Sequence, residues 1–388
     1  MRWVVRSAAI VIAILTIDIT SVAVEISGYY EPQYLIVELS GDYSQLFTNK
    51  LRVDLSTSTD NIHLFANFDF ISYHGKREWN LLDFLPQEIA DPHRSGDQSE
   101  FLFTYDDSIF LDNAYLKIAF GRFDFTVGRQ QISLGTGYAW NPTDLFNFKE
   151  ISDPTYEQPG HNALRLDISV TGNTGLSLLY DPEDNWERST KLVRYKGNLS
   201  HFDYSAIFIE REWEEYDYLN SSEVRYRRRL LGGDLVGQLL GLGVWGEWGY
   251  NRVDARQDFW ELLWGLDYTL DDGTYLMAEY YRNGQGRPDY GEYDVNDWMR
   301  YFTARSKTIS RDNLYLYLNY PLTDLLELSN SFVLSLSDGS LALVPGLHST
   351  LFQNLELDCF VTINTGREGR AYTRGAGTTS TFRLRAYF

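Results

Sequence analysis

Thiols are nearly absent from this chain of 388 residues, which holds a single cysteine. A disulfide framework, a cysteine-ligated zinc or iron–sulfur site and covalent c-type haem each need at least two thiols, so all are excluded. Basic charge is short as well. Against 34 Lys and Arg stand 54 Asp and Glu, a net charge of −20, and the basic face that nucleic acid requires is missing. Long apolar runs are confined to the first segment; with a mean hydropathy of −0.33, a bundle of membrane helices is excluded. The histidines (His63, His74, His93, His161, His201 and His348) show no H-E-x-x-H spacing, and no G-x-S-x-G occurs, so neither an enzyme nor a cofactor is predicted. What the chain has in quantity is aromatic: 28 Tyr, 22 Phe and 10 Trp.

Two arginines within 1–6 precede the apolar run Ser7 to Ile17, and Ser21-Val22-Ala23 then supplies the small residues that a signal peptidase reads. The pattern predicts a secretory signal peptide over 1–23, cleaved after Ala23, and a single domain over 24–388. The run is too short to cross a bilayer as a helix, which takes roughly 20 apolar residues.

Beyond it the hydrophobic period is two. Leu51, Val53 and Leu55 alternate with Arg52 and Asp54; Ala114, Leu116, Ile118 and Phe120 with Tyr115 and Lys117; Leu164, Leu166 and Ile168 with Arg165 and Asp167. Near the end Leu355, Leu357, Cys359 and Val361 alternate with Glu356 and Asp358, and Phe382, Leu384, Ala386 and Phe388 with Arg383 and Arg385. Such segments number about 18, many near the ~9–11 residues a tilted strand needs to cross a bilayer. They run at 28–40, 49–57, 60–72, 109–119, 123–132, 162–171, 174–181, 188–197 and 200–210, then 227–238, 242–251, 257–269, 273–283, 310–319, 324–336, 339–348, 354–364 and 378–388.

A soluble sandwich also has period two, so the connections arbitrate. Short ones near 57–60, 121–122, 172–173, 197–199, 239–241 and 271–273 alternate with long polar ones at 73–108, 133–161, 211–226, 284–309 and 365–377. A transmembrane up-and-down antiparallel barrel does this, with short periplasmic turns and long external loops. The expectation is all-β, about 18 strands with both termini periplasmic. Sixteen stays open, because Pro32 interrupts the first strand and the connection at 336–340 is short. Tyr and Trp near strand ends (Tyr29, Tyr30, Trp245, Trp248, Tyr250, Trp260, Trp264, Tyr280, Tyr281, Tyr315, Tyr317, Tyr320) fit aromatic girdles at the headgroup level.

A terminal Phe388 on an alternating strand resembles the closing strand of bacterial outer-membrane barrels, whose assembly machinery reads a terminal aromatic. The stretch Val127-Gly128-Arg129-Gln130-Gln131-Ile132-Ser133-Leu134-Gly135-Thr136-Gly137, leading into Trp140-Asn141-Pro142-Thr143-Asp144 and later Pro159-Gly160, resembles a poorly characterised group of porin-like outer-membrane barrels. That resemblance covers about a tenth of the chain. It implies an outer-membrane barrel with a pore, and no particular solute.

A charge on the lipid side costs roughly 2–4 kcal/mol at the midplane, so alternation assigns charged strand residues to the lumen. Arg52, Asp54, Asp69, Lys117, Asp124, Arg165, Asp167, Glu356, Asp358, Arg383 and Arg385 are the predicted lumen residues, and pairing of last strand with first gathers the bases on one arc. Arg129 has the opposite parity: either a bulge at Gly128 turns it inward or it lies above the membrane. Trp140, Asn141 and Asp144 are constriction candidates if the 133–161 loop folds inward rather than standing outside as a cap. The acidic stretch Glu210 to Asp217 and the following Arg225 to Arg229 are read as charge blocks pairing in an external loop. Two functions follow: a channel for passive diffusion of small solutes or ions, or a sleeve for a partner such as a multihaem electron-transfer cytochrome. A homo-oligomer is possible under either.

Overall fold

The computed structural model describes residues 23–388 apart from 150, 152 and 154–156; the expected signal peptide, save its last residue, lies outside the described residues. Eighteen antiparallel strands form the fold. They are β1 (Glu25–Leu39), β2 (Asp42–Ser58), β3 (Ile62–Gly75), β4 (Ser108–Phe120), β5 (Phe123–Gln131) and β6 (Gly160–Thr171). Next come β7 (Thr174–Asp181), β8 (Thr190–Leu199), β9 (Phe202–Asp217), β10 (Ser222–Leu239), β11 (Leu242–Val253) and β12 (Phe259–Thr269). The last are β13 (Tyr275–Asn283), β14 (Asp312–Thr323), β15 (Leu326–Ser335), β16 (Ser340–Phe352), β17 (Leu355–Asn364) and β18 (Thr378–Tyr387). Each expected segment maps in order onto one strand, so the count is 18 and not 16.

Every strand pairs with its sequence neighbours, and β18 pairs with β1 from Tyr29↔Tyr387 to Glu38↔Thr378. Gly28 and Phe388 exchange backbone bonds of 3.1 and 3.0 Å beyond that ladder, so the cylinder closes to its last residue. Closure is what lipid demands, because an open edge would leave amides with no water to bond. Pro32, which has no N–H to give, falls where the β1–β18 pairing lapses between Tyr30 and Gln33.

One rim carries the connections 59–61, 121–122, 172–173, 200–201, 240–241, 270–274, 324–325 and 353–354, together with the first and last described residues. The opposite rim carries 76–107, 132–159, 284–311 and 365–377 among its connections. One expectation needs correction: 211–226 is not a loop. β9 and β10 continue past the barrel as a hairpin turning at 218–221, in which Glu210, Glu212 and Glu214 sit opposite Arg229, Arg227 and Arg225. The charge blocks do pair, Arg229 with Glu210 and Arg225 with Glu214 both at 2.9 Å, and that cross-strand pairing carries the ladder out into water.

The outer face is apolar, with Phe70, Ile118, Phe125, Leu178, Leu231, Leu266, Leu316 and Phe382 exposed along it. No soluble protein presents such a belt, which is far beyond an ordinary surface patch. Among the described residues no helix is long and apolar enough to cross a membrane; the strands do the crossing. Parity divides the aromatics. Tyr30, Trp248, Trp260, Trp264 and Tyr320 lie outside as girdle residues, whereas Trp245, Tyr281 and Tyr315 are buried inside, and Tyr29 and Tyr317 also point inward, so the girdle reading fails for those five. Placing arginine at Leu316, which is central on β14 and faces lipid, is expected to destabilise the barrel by about 2–4 kcal/mol. Urea unfolding in lipid vesicles reads that loss.

At the long-loop rim, a helix α1 (Gln87–Arg94) and a helix α2 (Val295–Phe302) close a small cap. Leu82, Phe101, Trp298 and Met299 form its core.

Candidate functional site

The lumen wall is built from inward side chains on alternate positions, and it is charged. Arg52 and Asp54 (2.8 Å), Lys117 and Asp124 (2.8 Å), and Arg165 and Asp167 (2.7 Å) pair along it. Lys50 reaches Asp69 at 3.6 Å, His348 contacts Asp358 at 2.7 Å, and Tyr387 donates to Glu356 at 2.8 Å. Arg383 and Arg385 stand beside Glu31 on neighbouring strands. Eleven of the twelve predicted lumen residues thus share one face; Arg129 does not. Gly128 adopts φ +121 without shifting the register, so Gln130 and His161 remain paired and inward while Arg129 keeps the outward parity. Its Nε donates to the Asp112 carbonyl at 2.7 Å near the long-loop end of β5.

The described residues of the connection 132–159 fold into the lumen. Two wall carboxylates, Glu247 on β11 and Glu279 on β13, hold it by its backbone. Glu247 accepts from the N–H groups of Thr136 (2.9 Å), Gly137 (3.3 Å) and Thr143 (2.6 Å) and from the Thr143 hydroxyl (2.8 Å). Glu279 accepts from those of Tyr138 (2.6 Å), Ala139 (2.9 Å) and Trp140 (3.0 Å) and from the Trp245 indole (2.8 Å). Eight donors, six of them backbone N–H groups that would otherwise be orphaned inside the barrel, are satisfied this way. Glycine is needed at 135: φ is +78, and a Cβ there would stand 2.5 Å from both Glu247 carboxylate oxygens. The Gly135-Thr136-Gly137 stretch is therefore a carboxylate cradle.

Farther along, the loop's own carboxylates dock on the opposite wall. Glu157 meets Lys50 at 2.9 Å and Arg52 at 3.2 Å, and Tyr29 donates to it at 2.8 Å. Asp153 meets Arg383 at 2.6 Å. Four bases gather on one arc, Lys50 and Arg52 on β2 and Arg383 and Arg385 on β18, and its occupant is the loop; Lys117 on β4 and Arg165 on β6 stand apart from it. Burial opposes charge on Glu157, but Lys50, Tyr29 and Arg52 outweigh it and hold the carboxyl below its ordinary range. A depressed folded-state pKa means the docking contribution is complete at neutral pH and is lost as pH falls through that value. Loosening of the loop is accordingly expected only at pH below the ordinary carboxylate range, and Glu157→Gln to remove that pH dependence; intrinsic tryptophan fluorescence of the folded barrel across pH checks both.

The three constriction candidates lie in this loop but do not face open water. Trp140 is buried and stacks on Tyr281 at 5.2 Å. Asn141 donates to the Leu134 carbonyl at 2.6 Å. Asp144 accepts from the N–H groups of Phe146 (2.8 Å) and Asn147 (3.0 Å). Trp140 and Asn141 shape the loop, while Asp144, itself buried, also borders the cavity toward the long-loop rim. Sequence reasoning missed Glu247, Glu279 and the buried Glu261, which pairs with Arg228 and Lys307 at 2.9 Å each. The lipid cost of a mid-strand charge marked all three as inward, but Trp245-Gly246-Glu247-Trp248 puts aromatics on both faces and hides the alternation.

Space remains on both sides of the loop. Toward the long-loop rim lies a cavity of about 750 Å³ between the loop, the cap and the wall, and toward the chain ends one of about 520 Å³ bordered by Arg52, Asp54 and Arg385. Among the described residues no group of His, Cys, Asp or Glu is arranged to hold a metal ion.

No protein-family profile matches the chain, and no curated protein does. Solved structures do. OccAB4 of Acinetobacter baumannii superimposes with a TM-score of 0.59 at 9% identity, covering 94% of this chain and 98% of that one. A Rhodopseudomonas blastica porin gives 0.47 at 11% identity over 94% and 100%, and OmpT of Vibrio cholerae 0.47 at 9% over 95% and 100%. At such identity the likeness to OccAB4 shows the shared fold. Closed, antiparallel and apolar outside, that fold is the bacterial outer-membrane barrel.

Proposed function

We propose that the chain is a porin-like channel through which small solutes or ions cross the outer membrane by passive diffusion, with the 132–159 loop as its constriction. The observation that carries this reading is the loop's attachment: it hangs across a charged lumen on Glu247 and Glu279 and leaves cavities of about 750 and 520 Å³ at its two faces. An apolar plug would instead exclude water. Eighteen strands enclose a lumen wide enough for an aqueous path beside such a loop. A sleeve threaded by a cytochrome is a poorer fit, because the loop occupies the space a threaded partner needs. We further propose that the exposed terminal Phe388 is the signal read by the barrel-assembly machinery. Purified protein in a planar bilayer is expected to show discrete conductance steps; persistent silence after verified insertion contradicts the channel.

A further inference from the structure

The cavity toward the long-loop rim has an unusual charge. In a chain of net charge −20, its lining holds five cations, Lys149, Arg211, Arg228, Arg305 and Lys307, against the carboxylates Asp144 and Glu261, a surplus of three among the described residues. The two carboxylates are already engaged. Asp144 is buried and takes hydrogen bonds from its own loop, and Glu261 is shared by Arg228 and Lys307. Among the described residues, three cations have no carboxylate at ion-pair distance. Arg211 donates to the Leu145 carbonyl, Lys149 to the carbonyls of Gly137 (2.6 Å) and Tyr138 (3.0 Å), and Arg305 lies over the Trp213 ring at 5.5 Å. Carboxylates act on these cations only from beyond ion-pair distance, Asp181 and Glu183 on Arg211, and Glu279, Glu247 and Asp144 on Lys149.

The same cations are interleaved with rings. Trp213 carries Arg211 at 5.7 Å, Arg228 at 5.2 Å and Arg305 at 5.5 Å from its centroid, while Arg211 also covers Phe146 at 5.3 Å. Attraction to a ring face does not consume a guanidinium's N–H groups, so Arg305, and the N–H groups that Arg211 does not spend on the Leu145 carbonyl, can meet a carboxylate. Phe148, Tyr301 and Phe302 from the loop and cap line the same space and offer faces to a planar apolar body. Neither feature alone selects a ligand class; together they select one that is flat and acidic.

We propose that this chamber binds an aromatic organic anion, a carboxylate carried on a planar ring, on its way through the lumen. The proposal names a solute class for the channel and rests on that reading for its role in transport. Binding itself can be read without conduction. Calorimetric titration of the detergent-solubilised protein with benzoate, benzamide and acetate separates the two parts of the recognition. Benzoate is expected to bind about tenfold more tightly than either its neutral isostere or the ringless carboxylate, in line with a charge-assisted bidentate contact plus stacking. Arg305→Gln, at an exposed position, and Arg211→Gln are each expected to cost about fivefold or more in benzoate affinity. Equal affinity for benzoate and benzamide, or benzoate binding indifferent to both variants, overturns the proposal. Selective binding in a barrel that never conducts supports the chamber and overturns the channel; conduction without benzoate preference overturns the chamber and leaves the channel standing.

Discussion

Replacing Glu279 with alanine is expected to raise single-channel conductance at least about twofold, because among the described residues the carboxylate is the sole acceptor for four donors and each buried donor left unmet costs about 1–3 kcal/mol. Those donors are the N–H groups of Tyr138, Ala139 and Trp140 and the indole of Trp245. Summed, the cost rivals the whole stability of an ordinary domain, about 5–15 kcal/mol, so the loop leaves its seat before the barrel unfolds. Trp140 then loses its stack on Tyr281. Glu279→Gln keeps one acceptor oxygen and is expected to fall between wild type and alanine. Conductance of Glu279→Ala equal to wild type, with the barrel folded, would show that the loop is held elsewhere.

Arg383→Ala is expected to lower stability by about 3–5 kcal/mol, the cost of stripping one partner from a buried ion pair. Arg383 is 6% exposed and joins Asp153 of the loop, Glu31 of β1 and the Gln33 amide oxygen at 2.6, 3.5 and 2.7 Å. Removing it takes an arginine partner from half-buried Asp153 and from buried Glu31, and leaves β18 less firmly tied to β1. The comparison is Arg225→Ala on the β9–β10 hairpin, where the partner Glu214 is half exposed; such a pair contributes about 0–1 kcal/mol. Urea unfolding of both variants in the same detergent reads the contrast, and similar losses at the two sites would contradict the buried-network account.

Much of the architecture was legible because lipid enforces a simple rule. Where one face meets hydrocarbon and the other water, alternation is strict, and Leu51-Arg52-Val53-Asp54 or Phe382-Arg383-Leu384-Arg385 reads directly as wall and lumen. The rule fails where both faces are apolar. Along β11 and β13 the inward aromatics Trp245 and Tyr281 pack under the loop and match the outward Trp248 and Tyr280, so parity is invisible in Glu247 and Glu279. It fails too beyond the membrane, where Glu210 to Asp217 has the composition of a loop and folds as strand through cross-strand ion pairs. The position of the 132–159 loop was open for a related reason: its attachment is through backbone N–H groups, which every residue type carries. Only the glycines at 135 and 137 betray it, and a turn would use them as well.

Thiol labelling along β2 tests the central claim most directly. In a Cys359→Ser background reconstituted into vesicles, single cysteines at Arg52 and Asp54 should react with a membrane-impermeant maleimide, while those at Leu51, Val53 and Leu55 stay unmodified. Uniform labelling, or labelling of the three aliphatic positions alone, would contradict a closed barrel with hydrocarbon outside and water within.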